Sequence, residues 1–279
     1  MSLFREYLTP EVLQHFGLPD DPFDDPESPE DIWRGGRIKF IEKVLWKGLM
    51  RRRIIALVAP PGGGKTKLVR RLNALAKTQE QVRLIYPSSL DRRRISVNGL
   101  AVAILLELTG RDTSNMGQEA RSKLLLDTLR ERGRADEVPC LLIDEAHDLS
   151  DTALIAIKRI WDSQLQFREL SVILVGQPPL LARLRGEQQL RELALRTTPI
   201  EVGELGQHCG SYLRWRFSRV ADADGNVGNA DRVFTEGAIE FIAGKGRTPA
   251  SINNLCVAAM TQAHRIGEER VTAEIVHKL

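Results

Sequence analysis

The chain has 279 residues, 42% of them hydrophobic and 28% charged, with a formal net charge of +3. That composition belongs to a globular protein with room for one large domain, or for a core with a small satellite, and the charge is too mild to announce a nucleic-acid binder. No run approaches the roughly 20 apolar residues of a membrane span, and a start carrying Arg5 and Glu6 is no signal peptide. Cys140, Cys209 and Cys256 are too scattered for a disulfide framework or a zinc cluster, so a reducing cytoplasm is the simplest setting.

In chain order, a short helix is expected around Leu3–Phe16, then an acidic, Pro-rich linker through Asp20–Asp31, laid irregularly over the core. Ile38, Ile41, Leu45 and Leu49 recur at helical spacing. Ile54–Val58 is a short β-branched run that ends in Ala59-Pro-Pro-Gly-Gly-Gly-Lys65-Thr66, where a helix pattern over Lys65–Ala76 begins. Val82–Tyr86 reads as a second strand, and Asp91–Val97 as a basic connection holding Arg92, Arg93 and Arg94. Helices at Leu100–Leu108 and Gln118–Arg132 precede Val138–Ile143, which is continuously apolar as buried parallel strands are. A helix at Asp151–Leu165, a strand at Leu170–Val175, short helices between Pro179 and Leu195, and a fifth strand at Thr198–Val202 follow. From Glu204 the pattern turns wholly helical: Tyr212–Val220, Thr235–Ala243, Pro249–Ile266 and Thr272–Lys278, with a turn-rich loop at Ala223–Asp231. Strands alternating with helices imply an α/β core with a parallel five-stranded sheet, followed here by a small all-α subdomain. The expected divisions are 1–36, 37–203 and 204–279.

The strand–loop–helix around Lys65 carries the chemistry. Glycines let backbone N–H groups turn onto phosphate oxygens, and a helix N-terminus adds partial positive charge. Pro61, Gly62, Gly63, Gly64, Lys65, Thr66 and Lys67 are therefore the candidate nucleotide-binding set, with Lys65 reaching the β/γ-phosphates and Thr66 holding Mg²⁺. Ala59 stands where the pattern usually has its first Gly. About eighty residues on, Asp144 and Glu145 close an apolar strand. Asp144 can hold Mg²⁺ through water and Glu145 can polarise the attacking water. The two motifs together point to hydrolysis of ATP. Gln177, after the next strand, is placed to orient water or the γ-phosphate. Asp144-Glu-Ala-His147 also spells the box of one helicase superfamily, but such helicases need two tandem α/β cores and this chain has one; His147 reads as a local structural or signalling residue.

These features resemble an AAA+ ATPase: P-loop, Asp-Glu strand, polar sensor, helical lid. More narrowly, Phe16-Gly-Leu-x-x-x-Pro22-Phe23, Asp144–His147, Val175-Gly-Gln-Pro178 and Ile252-Asn-Asn-Leu255 resemble the group that includes the secretion ATPase ExeA and the transposition ATPases TnsC, TniB and MuB. The resemblance implies an AAA+ P-loop core followed by a lid. It also implies a lid arginine contacting nucleotide, but Ala250 holds that place, which leaves Arg247 as the substitute. The arginine finger it implies falls on Arg196, with Arg191 second. Secretion members continue into a membrane span, whereas this chain stops at Leu279, so the resemblance favours a minimal TnsC/TniB-type protein.

The function so implied is an ATP-dependent regulator of transposition that assembles as a hexameric ring or helical filament on duplex DNA and recruits a transposase, with a target-selection adaptor as a further partner and no membrane attachment. Arg92, Arg93 and Arg94 are the candidate DNA contacts. A protein-directed ATPase of secretion or signalling type, or a non-hydrolysing nucleotide switch, are the rival readings.

Overall fold

The computed structural model describes residues 7–26, 28–87, 95–163, 169–221 and 227–279. Five strands form one parallel sheet: β1 (Ile54–Val58), β2 (Val82–Ile85), β3 (Val138–Ile143), β4 (Ser171–Gly176) and β5 (Thr197–Glu201), ordered β2-β3-β4-β1-β5. The burial of each strand follows from its place in that order. β1, β3 and β4 are inside and buried at every position, which is why they read as unbroken apolar runs. β2 and β5 are the edges and are partly exposed, and β5 tolerates Pro199, whose missing N–H an edge strand can spare. Pro139 lies one residue before the β3–β4 ladder opens at Cys140↔Ser171, so it too breaks no bond of that ladder.

Helices surround the sheet: α2 (Ile38–Met50), α3 (Lys65–Lys77), α4 (Val97–Thr109), α5 (Gln118–Arg134), α6 (Asp151–Asp162), α7 (Pro178–Gly186) and α8 (Arg191–Arg196); the short α1 (Pro10–His15) precedes them. Local chemistry sets their ends. The Ser96 and Ser150 side chains accept N–H groups of the first turns of α4 and α6, and Gly110 ends α4 in the left-handed region at φ 70°. α6 turns Leu154, Ile157, Ile160 and Trp161 into a core shared with Ile54, Leu141, Ile143 and Leu174. The Arg71–Glu42 ion pair joins α3 to α2 with both side chains buried.

Compact units are Phe40–Pro60 with Lys65–Val202, which holds the sheet, and Met1–Lys39 with Pro61–Gly64 and Gly203–Leu279. The second unit has its own core and contains α9 (Cys209–Ser218), α10 (Ala230–Val233), α11 (Glu236–Lys245), α12 (Pro249–Arg265) and α13 (Ala273–His277). α10 begins within the last two residues of the expected loop; Asn229 caps it by accepting the Asp231 N–H, and Ala230 and Val233 are buried. The N-terminal segment joins this core through Val12, Leu18 and Phe23. Arg216 is the reason. It is 1% exposed, donates from Nη1 to the Asp24 carbonyl (2.7 Å) and from Nε to the Tyr212 hydroxyl (2.9 Å). With its amide turned to suit these neighbours, Asn253 accepts from Arg216 Nη2 at 3.0 Å and donates to the Tyr212 hydroxyl at 2.9 Å. Phe23 packs edge-on to Phe217, ring centroids 5.8 Å apart. Asp24 and Asn253, 229 positions apart in the sequence, therefore meet around one buried guanidinium.

Candidate nucleotide-binding site

Because the sheet is parallel, the carboxyl ends of all its strands lie along one edge, where α/β proteins place their ligands. The loop after β1 is built by two residues in the left-handed region, Gly62 at φ 70° and Gly64 at φ 91°. For Gly64 the backbone angle alone excludes a side chain, since a Cβ there meets nothing within 4 Å. Gly62 is constrained twice. A Cβ would lie 2.5 Å from that of Ala250, and the Gly62 carbonyl accepts the Ala250 N–H at 3.3 Å, both residues belonging to the same compact unit. Gly63 is buried, while Pro61, Gly62 and Thr66 are exposed and Lys67 is half-buried.

Lys65 opens α3 and is 8% exposed. Its Nζ donates to the Ala59 carbonyl at 3.0 Å and the Pro60 carbonyl at 3.4 Å, which holds the ammonium over the loop. A phosphate would offer this cation charged acceptors in place of neutral ones, and the first N–H groups of α3 have no partners within their helix.

Asp144 and Glu145 follow β3, two strands away from β1, roughly 9–10 Å at normal strand spacing. Between them lies the tip of β4, with Gly176 paired to Val58 and its carbonyl accepting the Ala59 N–H at 3.2 Å. Asp144 is half-buried, and its Oδ1 accepts the Glu145 N–H at 2.9 Å. Glu145 sits in the left-handed region at φ 52° and ψ 40°, a conformation that costs a non-glycine residue about 1–3 kcal/mol. Gln177 is half-buried at the N-cap of α7, and its side chain makes no cap bond.

Thr66 and Asp144 are hard oxygen donors. Among the described residues, no group of three or more His, Cys, Asp or Glu side chains forms a metal cage. That donor set suits Mg²⁺, which keeps waters and phosphate oxygens in its shell and is seldom held by protein alone.

The remaining candidates are more scattered. Arg196 Nε pairs with Asp162 at 2.8 Å, beside the Lys158–Glu192 and Lys158–Asp162 pairs, and Arg191 is exposed. Arg247 is 75% exposed and pairs with Glu204 at 3.3 Å within the helical unit. Arg92, Arg93 and Arg94 lie outside the described residues. Two contributors have no motif to announce them. Arg183 on α7 donates to the carbonyls of His147 and Leu149, each at 2.9 Å, and to Asp151 at 2.5 Å, thereby clamping the turn after Glu145. This bond holds the Asp151 carboxyl below its ordinary range. Tyr86, just past β2, donates its hydroxyl to Asn73 of α3; burial pushes the phenol's pKa up, and the Asp144 carboxylate adds to the push.

Residues 49–184 match the protein family described as AAA domain. The chain has the AAA+ P-loop fold. Solved structures with the AAA+ fold align over nearly its whole length. Cdc6p from Pyrobaculum aerophilum is 20% identical with a TM-score of 0.59, covering 92% of this chain and 69% of that one. ORC1 from Aeropyrum pernix, solved in complex with DNA, is 19% identical with a TM-score of 0.54, covering 91% and 66%. ORC2 from the same organism, solved as ADPNP–ADP complexes, is 16% identical with a TM-score of 0.54, covering 92% and 70%. At such identities the likeness is one of fold. Among curated proteins, none matches the sequence. No helix of the AAA+ chain, among the described residues, is long and apolar enough to cross a membrane.

Proposed function

We propose that this AAA+ chain is an ATP-hydrolysing, DNA-binding regulator of DNA transposition that assembles on duplex DNA as a ring or filament and recruits a transposase. One observation carries the nucleotide part: Lys65, which opens α3 after β1, and the Asp144–Glu145 pair after β3 follow strands two places apart in one parallel sheet. In this reading Lys65 and the α3 N-terminus hold the phosphates, and Gln177 lies between the two halves. Mg²⁺, held by Thr66 and Asp144, would neutralise developing charge on the phosphoryl oxygens. Glu145 takes a proton from the attacking water. An arginine of a neighbouring subunit, Arg196 first and Arg191 second, adds positive charge at the γ-phosphate after release from Asp162. Arg247 serves the lid where Ala250 lacks a side chain to do so.

The DNA part is supported by the fold shared with ORC1, which was solved on DNA. The transposition part is supported by the sequence resemblance at Phe16–Phe23, Asp144–His147, Val175–Pro178 and Ile252–Leu255. A target-selection adaptor is the natural second partner. The test is steady-state phosphate release with and without duplex DNA, together with electron microscopy on DNA in a slowly hydrolysed ATP analogue. DNA-stimulated turnover and ATP-dependent assemblies are expected. Turnover indifferent to DNA, with no assembly, would point to a protein-directed ATPase, and no multiple turnover at all to a nucleotide switch.

A further inference from the structure

Nothing in that reading uses His147, although the structure places it against the residue that does the chemistry. His147 Nδ1 lies 3.2 Å from Glu145 Oε2. Nδ1 is buried, and among the described residues no group gives it an aligned hydrogen bond; the Glu145 carboxylate has the right distance but not the right angle. Three features hold the backbone that carries the ring. Arg183 fixes the carbonyls on either side of the turn, at His147 and Leu149. Ala146, between Glu145 and His147, is fully buried, which anchors the short turn they share. Gly176 admits the backbone, since a Cβ there would stand 3.3 Å from the His147 nitrogen. Glu145 itself is 48% exposed and hangs from a left-handed backbone, so its side chain has few other restraints.

We propose that His147 is a positioning residue for Glu145. A buried donor left unpaired is costly, and the carboxylate is the acceptor within its reach. Catalytic hydrogen bonds are often misaligned before substrate binds and tighten afterwards. The Nδ1–H of His147 then donates to Oε2, limits the rotamers of Glu145 and presents the other oxygen, Oε1, to water. The proposal rests on Glu145 being the general base.

The experiment measures ATP turnover of the full chain and of the variants His147→Ala, His147→Asn, Glu145→Gln and the double variant Glu145→Gln/His147→Ala. The amide nitrogen of Asn takes nearly the place of Nδ1–H. Loss of one hydrogen bond to a charged group predicts a fall in kcat of about 10-fold for His147→Ala, with KM for ATP unchanged within about 2-fold. His147→Asn restores most of the rate, and His147→Ala adds nothing further in the Glu145→Gln background. Thermal melting with and without ATP separates a positional loss from a folding loss, and His147→Asn keeps the test open if the alanine variant does not fold. Wild-type kcat in His147→Ala, or no recovery in a folded His147→Asn, overturns the proposal while leaving Glu145 as base. Normal turnover in Glu145→Gln overturns both readings.

Discussion

Replacing Lys65 by Met removes the cation of the P-loop while keeping the aliphatic stem that fills its 8%-exposed niche. Two effects of different size should separate. In the free protein the variant loses the bonds from Nζ to the carbonyls of Ala59 (3.0 Å) and Pro60 (3.4 Å). The second is long, and burying the ammonium offsets part of the first, so the net loss is about 1 kcal/mol. For a chain of this size that corresponds to a fall in Tm of about 2–4 °C. Nucleotide should act more strongly. At a concentration 100-fold above Kd, ATP stabilises the wild type by about 2.7 kcal/mol, or about 5–10 °C. With no ammonium to meet the β/γ-phosphates, the variant should show almost none of that shift. Differential scanning fluorimetry with Mg²⁺, with and without ATP, reads both quantities in one experiment. A variant that melts slightly low but keeps the full ATP shift would refute the placement of the site. One that fails to fold would show that the loop lysine carries more of the fold than two hydrogen bonds to carbonyls account for.

Glu145→Gln should bind ATP and assemble on DNA but hydrolyse it about 10²–10⁴-fold more slowly, measured by phosphate release at saturating ATP. Reversing charge at Arg92 and Arg93 should weaken binding to any duplex alike and lower the log–log salt slope by about 0.9 for each phosphate no longer neutralised, with ATP binding intact. The matched control is reversal of Arg51 and Arg53 only. Arg52 must be left alone, because it donates to the Glu137 carbonyl (3.1 Å), pairs with Glu169 (3.4 Å) and sits at φ 52°; Arg52→Ala should lower Tm measurably where Arg51→Ala does not. Cys140, Cys209 and Cys256 are buried, and burial pushes the thiols of Cys140 and Cys209 up to about 12 and about 11. An aromatic disulfide reagent at pH 8 should label none of them before unfolding. Raised folded-state pKa values also mean that the stability linked to these thiols is complete below pH 9 and lost as pH climbs toward those values.

Features encoded in a short window of residues could be read before folding was considered. Gly-Lys-Thr after a β-branched run specifies a strand, a turn needing left-handed residues and a helix start, and Gly62 and Gly64 adopt that geometry. Three strands buried on both faces had to be apolar at every position, so they could be read directly and implied a parallel sheet. Asp144 and Glu145 lie where the apolar run placed them, directly after the end of β3 at Ile143. Which distant residues meet is set by the folded chain. Arg183 has no motif, and its role depends on α7 folding back over the turn at His147. Arg52 is the middle of three consecutive arginines, and its neighbours Glu137 and Glu169 lie 85 and 117 positions on and arrive through sheet pairing. Arg216 likewise has no local pattern to announce it. A fully buried guanidinium needs several acceptors at fixed distances, and those come from the Asp24 carbonyl, Tyr212 and Asn253. Local order depends on backbone conformation and the period of burial, which a window of sequence contains. Satisfying a buried charge depends on where separate segments converge, and that is a property of the folded chain.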